Sequence, residues 1–489
     1  MNGQLKTRAV LGVKWTTIAT IVVSGCDFLR VAILAHLLSP VDFGLIGMLM
    51  VIGGFAQAFA DMGISNAIIQ KQDATHNQLS SLYWANLFTG ILVGGIVYLS
   101  APLVAGFYQE PRLTQLMPWV SLSFFILPLG QQFQVLLQKE LRFKTLTKID
   151  ISSAVMGTLV SIFAAVKGGG VYSLIFGSLA NLIIRTGMLI VIGWKEWKPT
   201  FYFRFSDLSG YLRFGLYQMG ERSVNYLSAN VDYLFVGKFL GAGTLGIYTL
   251  AYQLVVMPFM KINPVLTRVA FPVFSKKQTD DLALRRGYVE MLKLISLLVS
   301  PVLIGIVATV SVFEPIVYGR GWEMTIPLVQ ILAIMSILKT LGNPSGSILL
   351  AKGRADIGFK WNVITAVLNS LVFLFVVQHG VFVLAWSWNI LSIGYFIIGG
   401  LILFRVIGLT WEEYIYSFLQ VWLISFIMGA FVYVSGMVMK CYMVNQLSIL
   451  VLQVILGTII YCALIFKSEK DYLLRLWALL FSSQREGGV

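Results

Sequence analysis

Charge is scarce in this chain. Asp, Glu, Lys and Arg make up only 12% of its 489 residues, about half the share found in a soluble domain. Hydrophobic residues make up 57%, and the mean hydropathy is +0.81. A bundle in water could not cover so much apolar surface, so lipid is the solvent. Cysteine is also sparse. Cys26, Cys441 and Cys462 lie far apart, which excludes a disulfide framework and a zinc site built on thiolates. His36, His76 and His379 are equally scattered, so no metal centre is expected. There is no G-x-x-x-x-G-K-[ST] loop, and so no ATP site of that type. No filter-like loop marks a channel. Chemistry must come from polar side chains inside the apolar stretches.

Those stretches number fourteen, each about long enough to cross a bilayer: residues 12–35, 41–64, 81–105, 115–138, 149–167, 171–192, 212–235, 245–263, 288–312, 324–349, 361–378, 381–404, 415–439 and 446–466. Each must be helical, because a bilayer offers no partner to free backbone groups. The N-terminal stretch carries Lys6, Arg8 and Lys14 and resembles a signal-peptide n-region. No small-residue cleavage site follows, so it reads as a retained first span.

Of the 36 basic residues, five remain inside spans once Lys167, Arg213 and Lys293, which fall towards span ends, are counted with the adjoining loops: Arg30, Arg185, Arg222, Lys261 and Lys339. Five more, Arg112, Lys167, Lys238, Arg320 and Lys440, lie in odd-numbered gaps. The remaining 26 lie at the N-terminus, in even-numbered gaps or in the tail. The positive-inside rule then predicts a cytoplasmic location for both termini. The net charge of +14 is spread over many short loops rather than gathered on one face, which argues against nucleic acid as a partner. No outward loop exceeds about 15 residues, too short for a polymerase or glycosyl-transfer site.

Two loops are alike. Leu38 and Gly44 follow span 1, and Leu240 and Gly246 follow span 7, at a constant offset of 202 residues. Six spans separate the copies, so they share an orientation. This predicts two pseudo-repeated six-helix lobes, residues 1–200 and 201–408, with spans 13 and 14 and a cytoplasmic tail in 409–489. Repeated lobes with a site near the midplane are a transporter pattern.

Ionisable groups inside a bilayer are costly and rarely face lipid. In span 7, Gln218, Glu221, Asn225, Ser228 and Asp232 form one helical stripe, with Arg222 beside it. Span 1 repeats the pattern with Thr17, Thr20, Ser24, Asp27 and Arg30. A central cavity lined by both is the economical expectation. Further candidates are Gln131 and Gln134 in span 4, Asn181 and Arg185 in span 6, Lys339 in span 10 and Asn369 in span 11. Each has a structural alternative. Asp27 and Arg30 could be a self-contained ion pair, Arg185 and Lys261 could reach the interface, and amides often hold helices together. Basic groups suit phosphate or carboxylate, whereas amides and hydroxyls suit sugar.

The run Ala35–Gly44 resembles the L-x-P-x-x-F-G signature that follows the first span of polysaccharide flippases. Phe59–Gln70 is similar to their second-span ending. Asn230–Tyr233, Val236–Gly241, Leu245–Tyr248 and Phe271–Phe274 are similar to their seventh and eighth spans and the loop that follows. The resemblance is to the polysaccharide-transporter branch of the multidrug/oligosaccharidyl-lipid/polysaccharide exporter superfamily, nearest to Wzx-type, colanic-acid-exporter-like flippases. It implies an all-α, V-shaped, two-lobed bundle of about 14 transmembrane helices in the bacterial inner membrane. By alternating access it would move undecaprenyl-diphosphate-linked oligosaccharide to the periplasmic leaflet. Its partners would be that lipid-linked oligosaccharide, membrane lipids and other polysaccharide assembly proteins, and it would act as a monomer without enzymatic activity. No cofactor is expected, and coupling to H+ or Na+ stays open. A drug/cation antiporter of the same superfamily is the alternative.

Overall fold

The computed structural model describes residues 2–60, 68, 74–208, 211–442, 445–472 and 474, and their side chains apart from those of 2–10, 13, 212–218, 221 and 264–273. The described residues are helical almost throughout. In chain order the helices are α1 (Asn2–Leu37), α2 (Pro40–Ala60), α3 (His76–Leu99), α4 (Ala101–Tyr108), α5 (Arg112–Lys139), α6 (Phe143–Val166), α7 (Val171–Gly193), α8 (Phe205–Leu208) and α9 (Tyr211–Phe235). They continue as α10 (Gly241–Lys276), α11 (Asp281–Val317), α12 (Thr325–Gly342), α13 (Pro344–Ala351), α14 (Ala355–Val376), α15 (Val381–Ile407), α16 (Trp411–Cys441) and α17 (Gln446–Ser468).

Among the described residues, thirteen helical stretches are long and apolar enough to cross a membrane. One of them, Arg222–Asn263, is 42 residues long. At 1.5 Å per residue that is roughly 63 Å, twice a hydrocarbon core. It holds spans 7 and 8. A π-helical turn, Val236–Leu240, closes the first. Gly241, at φ +82° and ψ 174°, then reverses the chain in a conformation open essentially to glycine alone. The fold is therefore an all-α bundle of about fourteen spans, as expected.

Two compact units are present. The first comprises Met1–Thr249, Val317–Gly321 and Ile364–Val381; the second comprises Leu250–Ile316, Trp322–Val363 and Phe382–Val489. In the first unit the loop motif after span 1 starts α2. Ser39 donates from its backbone N–H and its hydroxyl to the Asp42 carboxylate, at 2.9 and 2.7 Å. The Asp42 N–H returns to the Ser39 Oγ at 3.4 Å. Pro40 is pre-set for the first helical turn. Gly44 then permits contact with the start of α10. A Cβ there would stand 1.7 Å from the Ala242 carbonyl oxygen, and one on Gly246 would stand 1.8 Å from that of Pro40. Pro40 and Ala242 share the 202-residue offset of Gly44 and Gly246. Applying the offset therefore exchanges the two halves of this contact.

Small residues bring other helices together, since lipid supplies no hydrophobic drive between spans. Gly90 and Gly94 of α3 lie against Pro128 and Phe125 of α5. Gly157 of α6 lies against Asn181 and Gly177 of α7, and the Ser161 hydroxyl donates to the Ser173 carbonyl at 2.9 Å. The segment after α7 is tied back to the start of α3. The Trp84 Nε1–H donates to the Thr200 carbonyl at 2.8 Å, and the Thr200 and Arg204 N–H groups donate to the Ser80 and Ser81 hydroxyls, each at 3.2 Å.

In the second unit, α16 starts with a capping box between Thr410 and Glu413. Gln453 of α17 fills the notch over Gly436, its amide donating to the Val432 carbonyl at 2.9 Å. Glu413 also pairs with Arg285 at 3.6 Å, Lys293 pairs with Glu469 at 2.6 Å, and Lys352 pairs with Asp281 at 2.6 Å.

Candidate functional site

In the first unit a polar cavity of about 580 Å³ is walled by three helices. Helix α2 supplies Gly54, Gln57 and Ala58; α5 supplies Leu127 and Gln131; α9 supplies Arg222, Asn225 and Tyr226. The wall is built locally. The Tyr226 ring crosses α2 where Gly54 leaves room: a Cβ there would stand 2.1 Å from the phenolic oxygen. That hydroxyl donates to the Met50 carbonyl at 2.7 Å, so the ring is pinned. The Asn86 amide of α3 donates to Gln131 Oε1 at 3.3 Å, which orients the Gln131 side chain. Among the described residues Arg222 is the charged group of the lining, on a helix of the membrane-spanning bundle. A guanidinium beside two or three amides can bind an anionic group bidentately while offering hydrogen bonds to hydroxyls.

This cavity gathers Gln131, Arg222 and Asn225 from the candidates read in the sequence. It also uses Gln57 and Tyr226, which the sequence reading missed. Among the described residues the lining comes from spans 2, 4 and 7, and none of it from α1. The other candidates are placed elsewhere. Gln134 lies one turn beyond Gln131, half-buried. Asp27 and Arg30 pair with each other at 3.2 Å on α1, the Asp27 side chain half exposed. Arg185 pairs with Asp150 of α6 at 3.1 Å, and Asn181 packs over Gly157. Asn369 is buried in α14. The side chain of Glu221 lies outside the described residues, as does that of Gln218.

Asp232 changes the reading of the span 7 stripe. It is completely enclosed, accepts the Tyr248 hydroxyl at 2.7 Å and accepts its neighbour's N–H, that of Tyr233, at 2.9 Å. Tyr248, on α10, is also fully buried. The stripe is therefore not one continuous water-facing surface. Its cavity portion is confined to Arg222–Tyr226, and its far end joins α9 to α10. Tyr248→Phe should lower stability by about 1–2 kcal/mol, because a buried carboxylate loses a donor. Asp232→Asn, which keeps an acceptor, should cost less. Thermal unfolding in detergent checks both, and an unchanged midpoint for Tyr248→Phe would show that the bond is not structural.

Lys339 lies in the second unit. Its ammonium stands 5.4 Å from the Trp388 ring centre and 5.8 Å from that of Phe259, with the Tyr252 hydroxyl at 3.4 Å. The aromatic faces stabilise the charge where water is scarce. One turn earlier, Asn389 accepts from the Met335 N–H at 3.0 Å and donates to the Ile331 carbonyl at 2.9 Å. Those two groups would otherwise pair within α12, so Asn389 bridges the ladder of α12 at the turn before Lys339.

A family model described as "Polysaccharide biosynthesis protein" matches residues 33–327. The chain belongs to that family. The teichuronic acid biosynthesis protein TuaB of Bacillus subtilis (strain 168) is 37% identical, covering 95% of this chain and 97% of that one. The lipopolysaccharide biosynthesis protein WzxC of Escherichia coli (strain K12) is 36% identical over 73% of each chain. The fold of this chain is similar to that of a lipid II flippase, MurJ, in an inward closed conformation. The TM-score is 0.74 at 16% identity, over 95% of this chain and all of the other. A multidrug transporter of the MATE family, inward-facing, is similar at a TM-score of 0.61 and 13% identity, over 81% and 98%. The chain is thus a multi-span membrane protein with the fold of the exporter superfamily that its loop motifs resemble.

Proposed function

We propose that this protein is an inner-membrane flippase that carries a polyprenyl-diphosphate-linked oligosaccharide to the outer leaflet for surface or exopolysaccharide assembly. The observation that carries the reading is Arg222, set with Gln57, Gln131 and Asn225 in one cavity among the spans. The family relatives named for teichuronic acid and lipopolysaccharide biosynthesis support it, as does the fold shared with a lipid II flippase. The guanidinium binds the diphosphate and the amides hold the first sugars. The two pseudo-repeated lobes alternate access around them without chemistry on the substrate. A drug/cation antiporter would need a carboxylate facing its ligand, and among the described residues the charged group of this cavity is a cation.

The decisive experiment is deletion of the gene. Lipid-linked repeat units should accumulate on the cytoplasmic leaflet, and restored export on complementation completes the test. An unchanged distribution of the lipid-linked units would overturn the reading. In the proposed topology both termini are cytoplasmic. Reporter fusions at Lys144, Arg204, Lys277 and Arg354 should read cytoplasmic, and those at Gln109, Gly241 and Arg320 periplasmic. A periplasmic signal at Lys277 would break it, because the junction of α10 and α11 holds the pairs Lys276–Lys277 and Arg285–Arg286.

A further inference from the structure

The first unit holds a second, larger cavity of about 1060 Å³. Its wall runs along α3 from Trp84 to Ser100 and is completed by Phe55 and Phe59 of α2, Phe205 of α8 and Met219 of α9. Polar groups in this wall are spent on backbone. The Thr89 hydroxyl donates to the Ala85 carbonyl at 2.9 Å, that of Ser100 to Val97 at 2.9 Å, and the Trp84 indole to Thr200 at 2.8 Å. Such a groove recognises hydrocarbon.

Two features narrow the occupant. The first is length. Sixteen residues of α3 rise roughly 24 Å, most of a hydrocarbon core about 30 Å thick. A phospholipid acyl chain reaches across one leaflet, about half of that thickness, and would leave the rest of the groove unfilled. The second is continuity with the polar cavity. On α2, Phe55 and Phe59 face the groove while Gly54, Gln57 and Ala58, on the opposite side of the helix, face the cavity, so α2 walls both and the two spaces meet along α9. On α9, Met219 of the groove and Arg222 of the cavity are three residues apart, hence neighbours on one helix surface. A molecule with an anionic head beside Arg222 would have its apolar chain delivered into this groove.

We propose that the groove along α3 seats the polyprenyl chain of the lipid-linked substrate. This rests on the flippase reading for the identity of the head group. The chain is held by apolar contact along most of its path, and the tail length selects the lipid before the sugar is read. Phe203 and Phe205, on the segment tied to Ser80 and Ser81, form one rim of the groove.

The test is photo-crosslinking of the full-length protein in nanodiscs. A benzophenone amino acid replaces Phe88 or Leu92, both in the groove wall and well exposed, and in a control Ile459 of α17, which is equally exposed. The probe is radiolabelled undecaprenyl phosphate, which carries no sugar. Labelling at Phe88 and Leu92 should exceed that at Ile459 by tenfold or more. Unlabelled undecaprenyl phosphate should suppress it, while equimolar farnesyl phosphate or phosphatidylglycerol should not. Equal labelling at all three positions, or equal competition by phosphatidylglycerol, would show that the groove holds bulk lipid and overturn the proposal. Because the readout is binding of a sugar-free lipid, it is separate from export. Groove labelling in a protein whose deletion leaves lipid-linked oligosaccharide undisturbed would sink the flippase reading alone. Absent labelling with export lost on deletion would sink the groove alone.

Discussion

Arg222→Ala should abolish polysaccharide export while the protein still inserts at its normal level. Among the described residues the guanidinium is the charged group of a cavity otherwise lined by amides, a phenol and apolar residues. Losing it removes the group that would meet a diphosphate, and charge-assisted bonds are about twice as strong as neutral ones. Arg222→Lys should retain part of the activity, because an ammonium still acts on phosphate as a point charge but loses the bidentate geometry. Complementation of an export-deficient strain reads the first effect and immunoblotting of inner membranes the second. The competing idea is that Arg222 only neutralises Glu221, its neighbour in sequence. It predicts that Glu221→Ala combined with Arg222→Ala restores export, since both charges of the pair vanish together. We expect that double variant to remain inactive. Restored export would remove Arg222 from the substrate-binding role.

Span number and helical class were legible in the sequence because they follow from bulk physics. A bilayer sets the length of each apolar run and forces the helix, and loop charge alternates with side. Span 7 is the instructive case. Periodicity placed Asn225 on a polar face with Arg222 beside it, and both line the cavity. The same periodicity put Asp232 on that face, yet Tyr248 encloses it, sixteen residues on and across a chain reversal at Gly241. Periodicity reports a direction around one helix axis; it does not report which neighbour stands there. Hence Asp150 as the partner of Arg185, the aromatic rings around Lys339, and Tyr226 over Gly54 were hidden. Each is a meeting of different helices. Gln57 was a lone amide in an apolar run, with no stripe to mark it. The Asp27–Arg30 pair was visible as an alternative because three residues apart on a helix is already a contact distance.

Gly44→Ala and Gly246→Ala should each remove most of the folded protein from the membrane. The obstacle in both cases is a backbone carbonyl, at 1.7 and 1.8 Å from the added Cβ. A side chain could rotate away from such a clash, but a helix terminus cannot, so α2 and α10 would have to separate. Overpacking in a well-packed core costs about 1–3 kcal/mol when side chains can adjust, and these sites lack that relief. Gly243→Ala is the matched control, one turn from Gly246. Its Cβ would meet only Val41 Cγ2 at 3.7 Å, an ordinary contact. Gly95→Ala on α3, with open space around it, should be neutral or slightly stabilising. Fluorescence size-exclusion of detergent extracts and the unfolding midpoint separate these outcomes. Wild-type values for Gly246→Ala would mean that the helices can part freely and that the reciprocal contact has no role in stability. The contact also makes a stricter prediction. Both glycines hold the same pair of helices together, so whichever methyl parts them first also relieves the second clash. The double variant should therefore lose less than the sum of the two single losses, the non-additivity expected of residues that share one contact.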